Sequence, residues 1–279
     1  MRGPHLAASS RVRWLFAAVL LSSVGCGFSA VSGGVAGDDQ PAEPGDDDPA
    51  PDGPPASARR CSTDPTLRLC LDFDEDNLVT DGSSFAHDVT SANIAVMPRA
   101  TEQAALLVTA SRLQVGETPD LDLTSDLTTS MWMQMDPALL PTAATVGRWL
   151  LDNNSQYFMA VRDNGKLRCG GGPITLESPE RLVGVDSEWH HVACTFDGAL
   201  WSVYVDGNRV ACRTSARPLD VTGTAGLALG ANLGGDGTVS ETYAGGLDNI
   251  EVFARAKSPA EICAAAGQTG CSAACPQPE

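Results

Sequence analysis

The sequence has 279 residues, nine cysteines and a formal net charge of −17 at pH 7. This excess of carboxylates repels a phosphate backbone, so we expect no nucleic-acid partner. The length suits a single β domain behind an N-terminal leader, and no part of the sequence indicates a second domain.

Residues 1–25 predict a secretory signal peptide, because three arginines precede the apolar run 14–21. Eight apolar residues are too few to span a bilayer. The leader ends in residues 23–26, Ser-Val-Gly-Cys, which resemble a bacterial lipobox except that Ser23 stands where Leu is usual. This resemblance implies that Cys26 carries lipid and becomes the mature N-terminus. The alternative is cleavage after Ala30, which would release a soluble protein.

Residues 26–60 predict a disordered, acidic tether. From Val31 to Ala58 the chain is rich in Pro, Gly and Asp and has no aromatic side chain. Such a segment buries too little apolar surface to offset the entropy of ordering its backbone.

Residues 61–279 predict an all-β domain with a Cys-rich C-terminal tail. Many short β-rich segments separated by turns favour a sandwich or a barrel over a parallel sheet. Besides residues 189–210, the predicted strands lie at 67–74, 104–108, 127–135, 148–151, 157–162, 166–169, 226–229 and 243–253.

Residues 189–210 predict a three-strand meander, which is the clearest element of the chain. Apolar side chains recur at every second position, at 192, 194 and 196 and again at 201, 203 and 205, so we expect one apolar face. Asp197-Gly198 and residues 206–208, Asp-Gly-Asn, predict the two turns.

One helix is predicted near the C-terminus. Ser258 is a typical N-cap, Pro259 occupies the first helical position, and Glu261 completes a capping box. Gly267 then marks the end of the helix.

The meander also carries a resemblance to a known family. Residues 189–193, Trp-His-His-Val-Ala, and 204–210, Tyr-Val-Asp-Gly-Asn-Arg-Val, resemble the signature of laminin G-like jellyroll domains. Residues 245–262 resemble the closing strand and terminal helix of such domains, in the family's order. The resemblance covers about residues 65–265 and implies a concanavalin A-like sandwich of two antiparallel sheets. It implies no single activity, since the fold has lectin-like, adhesive, structural and hydrolytic members.

The cysteines of an exported chain predict disulfides rather than zinc. With Cys26 assigned to lipid, eight remain for up to four bridges: Cys61, Cys70, Cys169, Cys194, Cys212, Cys263, Cys271 and Cys275. Cys169 and Cys194 share their strand faces with apolar residues, so both should point inward, and a bridge between them is our first choice. Cys212 would then pair with a terminal cysteine. Cys61 and Cys70 could close a short loop, and the other terminal cysteines stay open between pairing locally and clamping the N-terminal segment.

Catalysis has weak support in the sequence. Asp72, Asp74 and Asp76 alternate in a way that resembles the paired carboxylates of glycosidases of this fold. Aspartates near a strand end are more often turn residues, so we predict no catalytic site. His190 and His191 should point to opposite faces of a strand, and we expect both to be structural.

Sugar-binding sites often expose aromatic side chains, but aromatic residues make up only 5% of this sequence. The stacking candidates are Tyr157, Tyr204, Tyr243 and Trp201. All four lie in strand patterns, where packing in the core is the commoner role.

The family resemblance also implies a calcium site at one rim of the sandwich. It places the ligand loops at Asp152, Asn153 and Asn154 and at Asn232 and Asp236. Calcium requires about six to eight oxygen ligands, and these residues supply part of such a set. Asp-Asn-Asn and Gly-Gly-Asp-Gly are also good turn formers without metal. Calcium is therefore the one cofactor that the resemblance suggests.

Together these features predict a non-catalytic binding or adhesion module on the cell envelope. We expect export, with a lipid anchor as the only membrane attachment or else secretion, and a glycan or an extracellular protein as the ligand. The alternatives are a secreted glycoside hydrolase or lyase of the same fold, and a purely structural surface lipoprotein.

Overall fold

A computed structural model describes residues 61–276, except for 75–78, 142–146, 155, 216, 220–222 and 224. The predicted signal peptide, the tether, Cys26 and Asp76 therefore lie outside the described residues. The described strands are, in chain order, β1 (Leu67–Leu71), β2 (Val89–Arg99), β3 (Glu102–Val115), β4 (Asp126–Gln134), β5 (Gly147–Asp152), β6 (Phe158–Arg162), β7 (Leu167–Gly171), β8 (Ile174–Glu177), β9 (Trp189–Asp197), β10 (Leu200–Val205), β11 (Asn208–Thr214), β12 (Leu227–Leu229), β13 (Asn232–Leu233), β14 (Val239–Ser240) and β15 (Gly245–Phe253).

The strands form two antiparallel layers that share one long strand. Hydrogen bonds connect β11-β10-β9-β4-β15-β3 on one side and β3-β12-β5-β6-β7-β8 on the other. Residues 105–107 of β3 pair with β15, whereas residues 113–115 pair with β12. Ala110, between these two stretches, has a φ of 75°. The strand thus serves both layers, and the predicted all-β jellyroll is confirmed.

The core lies between the layers. Met131 and Met133 of β4, Val192 and Phe196 of β9, and Leu167 of β7 are all fully buried in one hydrophobic cluster. Phe196 stacks on Trp201 with ring centroids 4.7 Å apart. Val192, Phe196 and Trp201 occupy positions that the period-2 pattern assigns to the apolar face of the meander.

The opposite face of the meander is buried as well, which the alternation did not predict. The helix α1 (Pro259–Ala265) packs there, and Ile262 forms a small cluster with Ala193 and Tyr204. Ala193 and Tyr204 on this face therefore contact the C-terminal helix instead of solvent. A pattern of alternating residues cannot show which later segment covers the second face of a sheet.

The predicted helix signals are present in α1. The Ser258 hydroxyl accepts a hydrogen bond from the backbone N–H of Glu261, and the Glu261 carboxylate accepts one from the backbone N–H of Ser258. Pro259 lies in the first turn. The capping box satisfies two backbone donors that would otherwise lack partners.

Four disulfides connect the eight cysteines of the domain. Cys169 of β7 is bonded to Cys194 of β9, with Cα atoms 6.4 Å apart, so this bridge links the two layers. Cys212 is bonded to Cys275 of the tail. The remaining bridges are local, Cys61–Cys70 and Cys263–Cys271.

Four strands of the structure have no counterpart among the predicted strands, namely β2, β8, β13 and β14. β2 alternates poorly, because most of its residues are exposed or half-buried, and Asn93 interrupts it with a φ of 55°. β8 is short and has no fully buried residue. The first predicted strand ends earlier than expected, at Leu71, because Phe73 adopts a φ of 58°.

Candidate functional site

The site begins with the loop of residues 81–87, which the buried carboxylate of Asp81 organises. Its Oδ1 accepts hydrogen bonds from the backbone N–H groups of Cys70 and Ser83, at 3.0 and 2.9 Å. Its Oδ2 accepts from the Ser83 hydroxyl at 2.8 Å and from the backbone N–H of His87 at 2.9 Å. Four hydrogen bonds to one side chain fix the path of this loop.

His87 joins the loop to a second segment. Its Nδ1 lies 2.7 Å from Oδ2 of Asp81, and its Nε2 lies 2.5 Å from Oδ2 of Asp120. The imidazole is largely buried. Asp120 also accepts a hydrogen bond from the hydroxyl of Thr118. Burial alone would raise the pKa of Asp120, but the hydrogen bonds from Thr118 and His87 outweigh it and hold the pKa below its ordinary value.

The second segment, residues 118–126, is held in place by the loop that precedes β6. The Tyr157 hydroxyl and the Asn153 amide both donate to the carbonyl oxygen of Leu121, at 3.1 and 3.0 Å. Gln156 donates to Oδ1 of Asp122 at 2.6 Å. Both Asp120 and Asp122 are therefore fixed by side chains behind them.

Phe85 projects between these anchored residues. Its side chain is 40% exposed, and it is the one aromatic residue among the exposed large hydrophobic residues of the described chain. The Arg68 guanidinium lies 4.8 Å from the centre of its ring, and the His87 ring is parallel to it at 5.8 Å. The part of the ring that these two side chains leave uncovered is exposed to solvent, where it can contact apolar C–H groups of a ligand.

Phe85 and the segment 118–126 line one groove with a volume of about 260 Å³. One cation and three carboxylates face it together with two hydroxyl-bearing side chains. The lining residues are Arg68, Phe85, Pro119, Asp120, Asp122, Leu123, Thr124, Ser125, Asp126 and Ala254. The two oxygens of a carboxylate can accept hydrogen bonds from two hydroxyl groups of a ligand, and an aromatic ring can contact the ligand's apolar C–H groups. The groove therefore suits a polyhydroxylated ligand.

The four aromatic residues considered for stacking all lie in the core. Tyr157, Tyr204, Tyr243 and Trp201 are each at most 1% exposed. Phe85 was missed because the sequence around it has no strand pattern and only one aromatic residue. The sequence does contain one indication that Phe85 is exposed, because this aromatic residue lies in a segment without apolar periodicity.

The predicted calcium loops do lie next to each other, but their side chains make other contacts. Oδ2 of the fully buried Asp152 accepts the backbone N–H of Leu233 at 2.8 Å, which ties the first loop to the second. Asn153 binds the carbonyl oxygen of Leu121, as described above. The amide oxygen of Asn154 in the first loop lies next to Gly235 of the second loop.

The second calcium loop is a turn of its own. Oδ1 of Asp236 accepts from the backbone and the hydroxyl of Thr238, and these bonds lower the pKa of Asp236. Asn232 pairs with Ser240 in the β13–β14 ribbon. In the part of the chain that the structure describes, no group of three or more His, Cys, Asp or Glu side chains is placed to hold a metal ion. These contacts fit a pair of hydrogen-bonded turns better than a preformed calcium site.

The adjacent histidines have contrasting surroundings. His190 lies between two carboxylates, with Nδ1 2.8 Å from Asp206 and Nε2 3.1 Å from Asp186. The hydrogen bond to Asp206, opposed by burial and aided by Asp186, raises the pKa of His190 to about 9. Burial lowers the pKa of His191 to about 4, so its imidazole is neutral at physiological pH.

The carboxylates considered for catalysis are not presented by a regular strand. β1 ends at Leu71, and the positive φ of Phe73 breaks the alternation between Asp72 and Asp74. Oδ1 of Asp74 accepts the backbone N–H of Gln103 at 2.9 Å. Asp76 lies outside the described residues.

No helix among the described residues is long and apolar enough to cross a membrane.

The described residues form an all-β jellyroll with a polar groove beside Phe85. Residues 109–263 match Laminin_G_3, the concanavalin A-like lectin/glucanases superfamily, and the chain belongs to this family. The family predicted from residues 189–210 and 245–262 is thus confirmed.

Solved domains of other proteins share this fold. The binding domain of Paraclostridial Mosquitocidal Protein 1 aligns with a TM-score of 0.59 and 15% identity, over 72% of this chain and 52% of that chain. Domain 4 of AbnA, an extracellular GH43 arabinanase from Geobacillus stearothermophilus solved with arabinotriose, gives 0.54 and 18%, over 72% and 98%. The receptor binding domain of botulinum neurotoxin C/D mosaic serotype gives 0.54 and 14%, over 72% and 51%.

The chain spans about half the length of the two toxin domains and nearly all of the arabinanase domain. Identities this low show a shared fold alone. No curated protein matches the sequence.

Proposed function

We propose that this chain is an exported, non-catalytic binding module of the cell envelope, and that its head binds a glycan in the groove beside Phe85. The observation that carries the proposal is the combination of one exposed aromatic ring with carboxylates that are already fixed in place. Such preorganisation lowers the entropy lost when a flexible sugar chain binds.

The nature of the groove favours a glycan over a large protein partner. The groove is lined by ten residues, whereas a stable protein interface takes about 20–30 residues from each partner. The arabinanase domain of the same fold was solved with arabinotriose, which supports a glycan as the ligand class. The four disulfides support export, since such bonds persist in oxidising compartments.

Replacing Phe85 with alanine should weaken glycan binding at least tenfold, which corresponds to about 1.4 kcal/mol. The variant removes the stacking surface but leaves Asp81 and its hydrogen bonds to the loop intact. A glycan-array screen of the labelled protein identifies the ligand, and calorimetric titration of the best glycan then measures the dissociation constant.

The matched control is Leu139→Ala, because Leu139 is similarly exposed, at 43%, and does not line the groove. Asp120→Asn should also weaken binding, since it removes an acceptor oxygen. Equal affinities of Phe85→Ala, Leu139→Ala and the wild type would show that the groove is not the glycan site.

Thermal unfolding with millimolar calcium and with a chelator tests the rim site that the family resemblance predicts. If calcium binds Asp152, Asn153, Asn154, Asn232 and Asp236, it should raise the melting temperature of the wild type, because it binds only the folded state. Asp236→Ala should abolish that rise. A melting temperature that calcium does not change would leave both loops as ordinary turns.

The anchoring part of the proposal concerns Cys26, which we infer is lipidated after cleavage of residues 1–25. Cells given a clickable fatty-acid analogue should label the wild-type protein and not Cys26→Ser, and the variant should leave the membrane fraction. One lipid chain binds membranes only marginally, so two or more chains on Cys26 are needed for stable anchoring. A soluble wild type that begins at Val31 would contradict the anchor.

A further inference from the structure

A second cavity, with a volume of about 250 Å³, opens on the outer face of β4, β9 and β15 beside α1. It shares no lining residue with the groove at Phe85. The side chains that matter here are Trp132, His191, Asn249, Glu251 and Lys257.

His191 is the unusual member of this cavity. The residue is only 3% exposed, and its Nδ1 is buried without a hydrogen-bond partner in the described part of the chain. Buried polar atoms nearly always have a partner, because leaving one unpaired costs free energy. The ring is held in place, since its backbone N–H donates to Oδ1 of Asp206 and its side chain packs against Trp132 at 5.4 Å. A ligand hydroxyl in the cavity would give the imidazole the partner that it lacks.

The charges around the cavity are already paired. The Lys257 ammonium lies 3.2 Å from Oε2 of Glu251 and 3.5 Å from the centre of the Phe253 ring. Arg99, which lies over Trp132, is paired with Asp248 and Glu102. His191 itself is neutral at physiological pH. A charged ligand would therefore lose its hydration without gaining an unpaired counter-charge. An uncharged ligand needs no counter-charge and has a smaller cost of desolvation.

The volume and the lining of the cavity restrict the class of ligand further. The volume lies below the range of about 300–1,000 Å³ that is typical of sites for drug-sized ligands. Trp132 lines the cavity together with Asn249, Glu251 and Lys257. An indole together with amide, carboxylate and ammonium groups suits a ring that has apolar C–H groups and several hydroxyls.

We propose that this cavity is a second ligand site, which takes a neutral polyol of the size of a single sugar ring and binds one hydroxyl through Nδ1 of His191. The site involves none of the residues of the Phe85 groove, so it stands whether or not that groove binds glycans. If both sites bind one glycan, the two contacts raise the overall affinity beyond that of either alone.

The test uses the full chain, labelled with ¹⁵N-histidine and purified in a detergent without a sugar headgroup. D-glucose, D-galactose, D-mannose and myo-inositol are titrated in turn while the imidazole nitrogen signals are recorded. The protein has four histidines, so His191 can be assigned with one variant. We expect at least one of these polyols to shift the Nδ1 signal of His191 in a saturable way, and Asn249→Ala to weaken that binding at least tenfold.

Phe85→Ala is the control and should leave this binding unchanged. His191→Phe should abolish it, and if that variant does not fold, the wild-type titration and Asn249→Ala still decide. The proposal is overturned if none of the four polyols shifts the Nδ1 signal, or if acetate or methylammonium shifts it and the polyols do not. A shift that Phe85→Ala removes would assign the binding to the other groove and would equally overturn it.

Discussion

Replacing His190 with glutamine should flatten the dependence of stability on pH between about pH 6.5 and 9. The hydrogen bond to Asp206, with Asp186 beside it, raises the pKa of the folded-state His190 from 6.5 to about 9. The folded protein then holds this proton more tightly than the unfolded chain does. The resulting stabilisation is complete below pH 6.5 and is lost as the pH rises through 9.

The size of this effect follows from the difference in pKa. A rise from 6.5 to about 9 corresponds to about 3 kcal/mol, and solvent screening of the two partly exposed carboxylates lowers it to about 2 kcal/mol. Urea denaturation at pH 6, 7, 8, 9 and 10 measures the free energy of unfolding of both proteins. Subtracting the two curves removes the contribution of every other titrating group that the substitution leaves unchanged.

Asp186→Asn provides a graded control, because it removes the more exposed of the two partners and should reduce the slope only in part. Parallel curves for the wild type and His190→Gln would contradict the expectation and would mean that His190 has an ordinary pKa in the folded protein.

The second large effect is expected on removing the bridge between the two layers. Cys169→Ala with Cys194→Ala should lower the free energy of unfolding by about 3.5 kcal/mol, because the bridge closes a loop of 25 residues in the unfolded chain. That is a large share of the total stability of a domain, which is about 5–15 kcal/mol. Denaturation under non-reducing conditions measures the loss.

The matched control is Cys263→Ala with Cys271→Ala. This bridge spans only eight residues and links α1 to the tail, so its removal should cost less, about 2.5 kcal/mol in the same account. A larger loss for the control pair than for Cys169 and Cys194 would contradict the role of the inter-layer bridge. Peptide mapping without reductant checks that the remaining bridges are unchanged.

Local patterns predicted those parts of the fold that local interactions determine. The meander, its two turns and α1 follow from residues within a few positions of one another, such as Val192 with Cys194, and Ser258 with Glu261. The inward direction of Cys169 and Cys194 follows from strand alternation in the same way. Each of these features has the same local sequence pattern in any fold that contains it.

The candidate site could not be predicted in this way, because contacts between distant segments build it. Asp81, His87 and Asp120 meet across 39 positions of sequence, from 81 to 120, and Leu121 is held by Tyr157. Composition did not distinguish the exposed Phe85 from the buried Tyr204, since exposure depends on the neighbours that folding supplies. The burial of the outer face of β9 likewise depends on α1, which lies about 70 residues later.

The Cys61–Cys70 bridge would decide how tension from the proposed tether enters the domain. A pull on the chain before residue 61 passes through the covalent bridge directly to Cys70, so residues 62–69 carry no load. Cys70 lies in β1 opposite Glu251 of β15, and β15 in turn pairs with both β4 and β3. Tension from the proposed tether would thereby enter β15 through β1 and reach the strands on both sides of β15, while the covalent bridge keeps the first loop of the domain from being stretched.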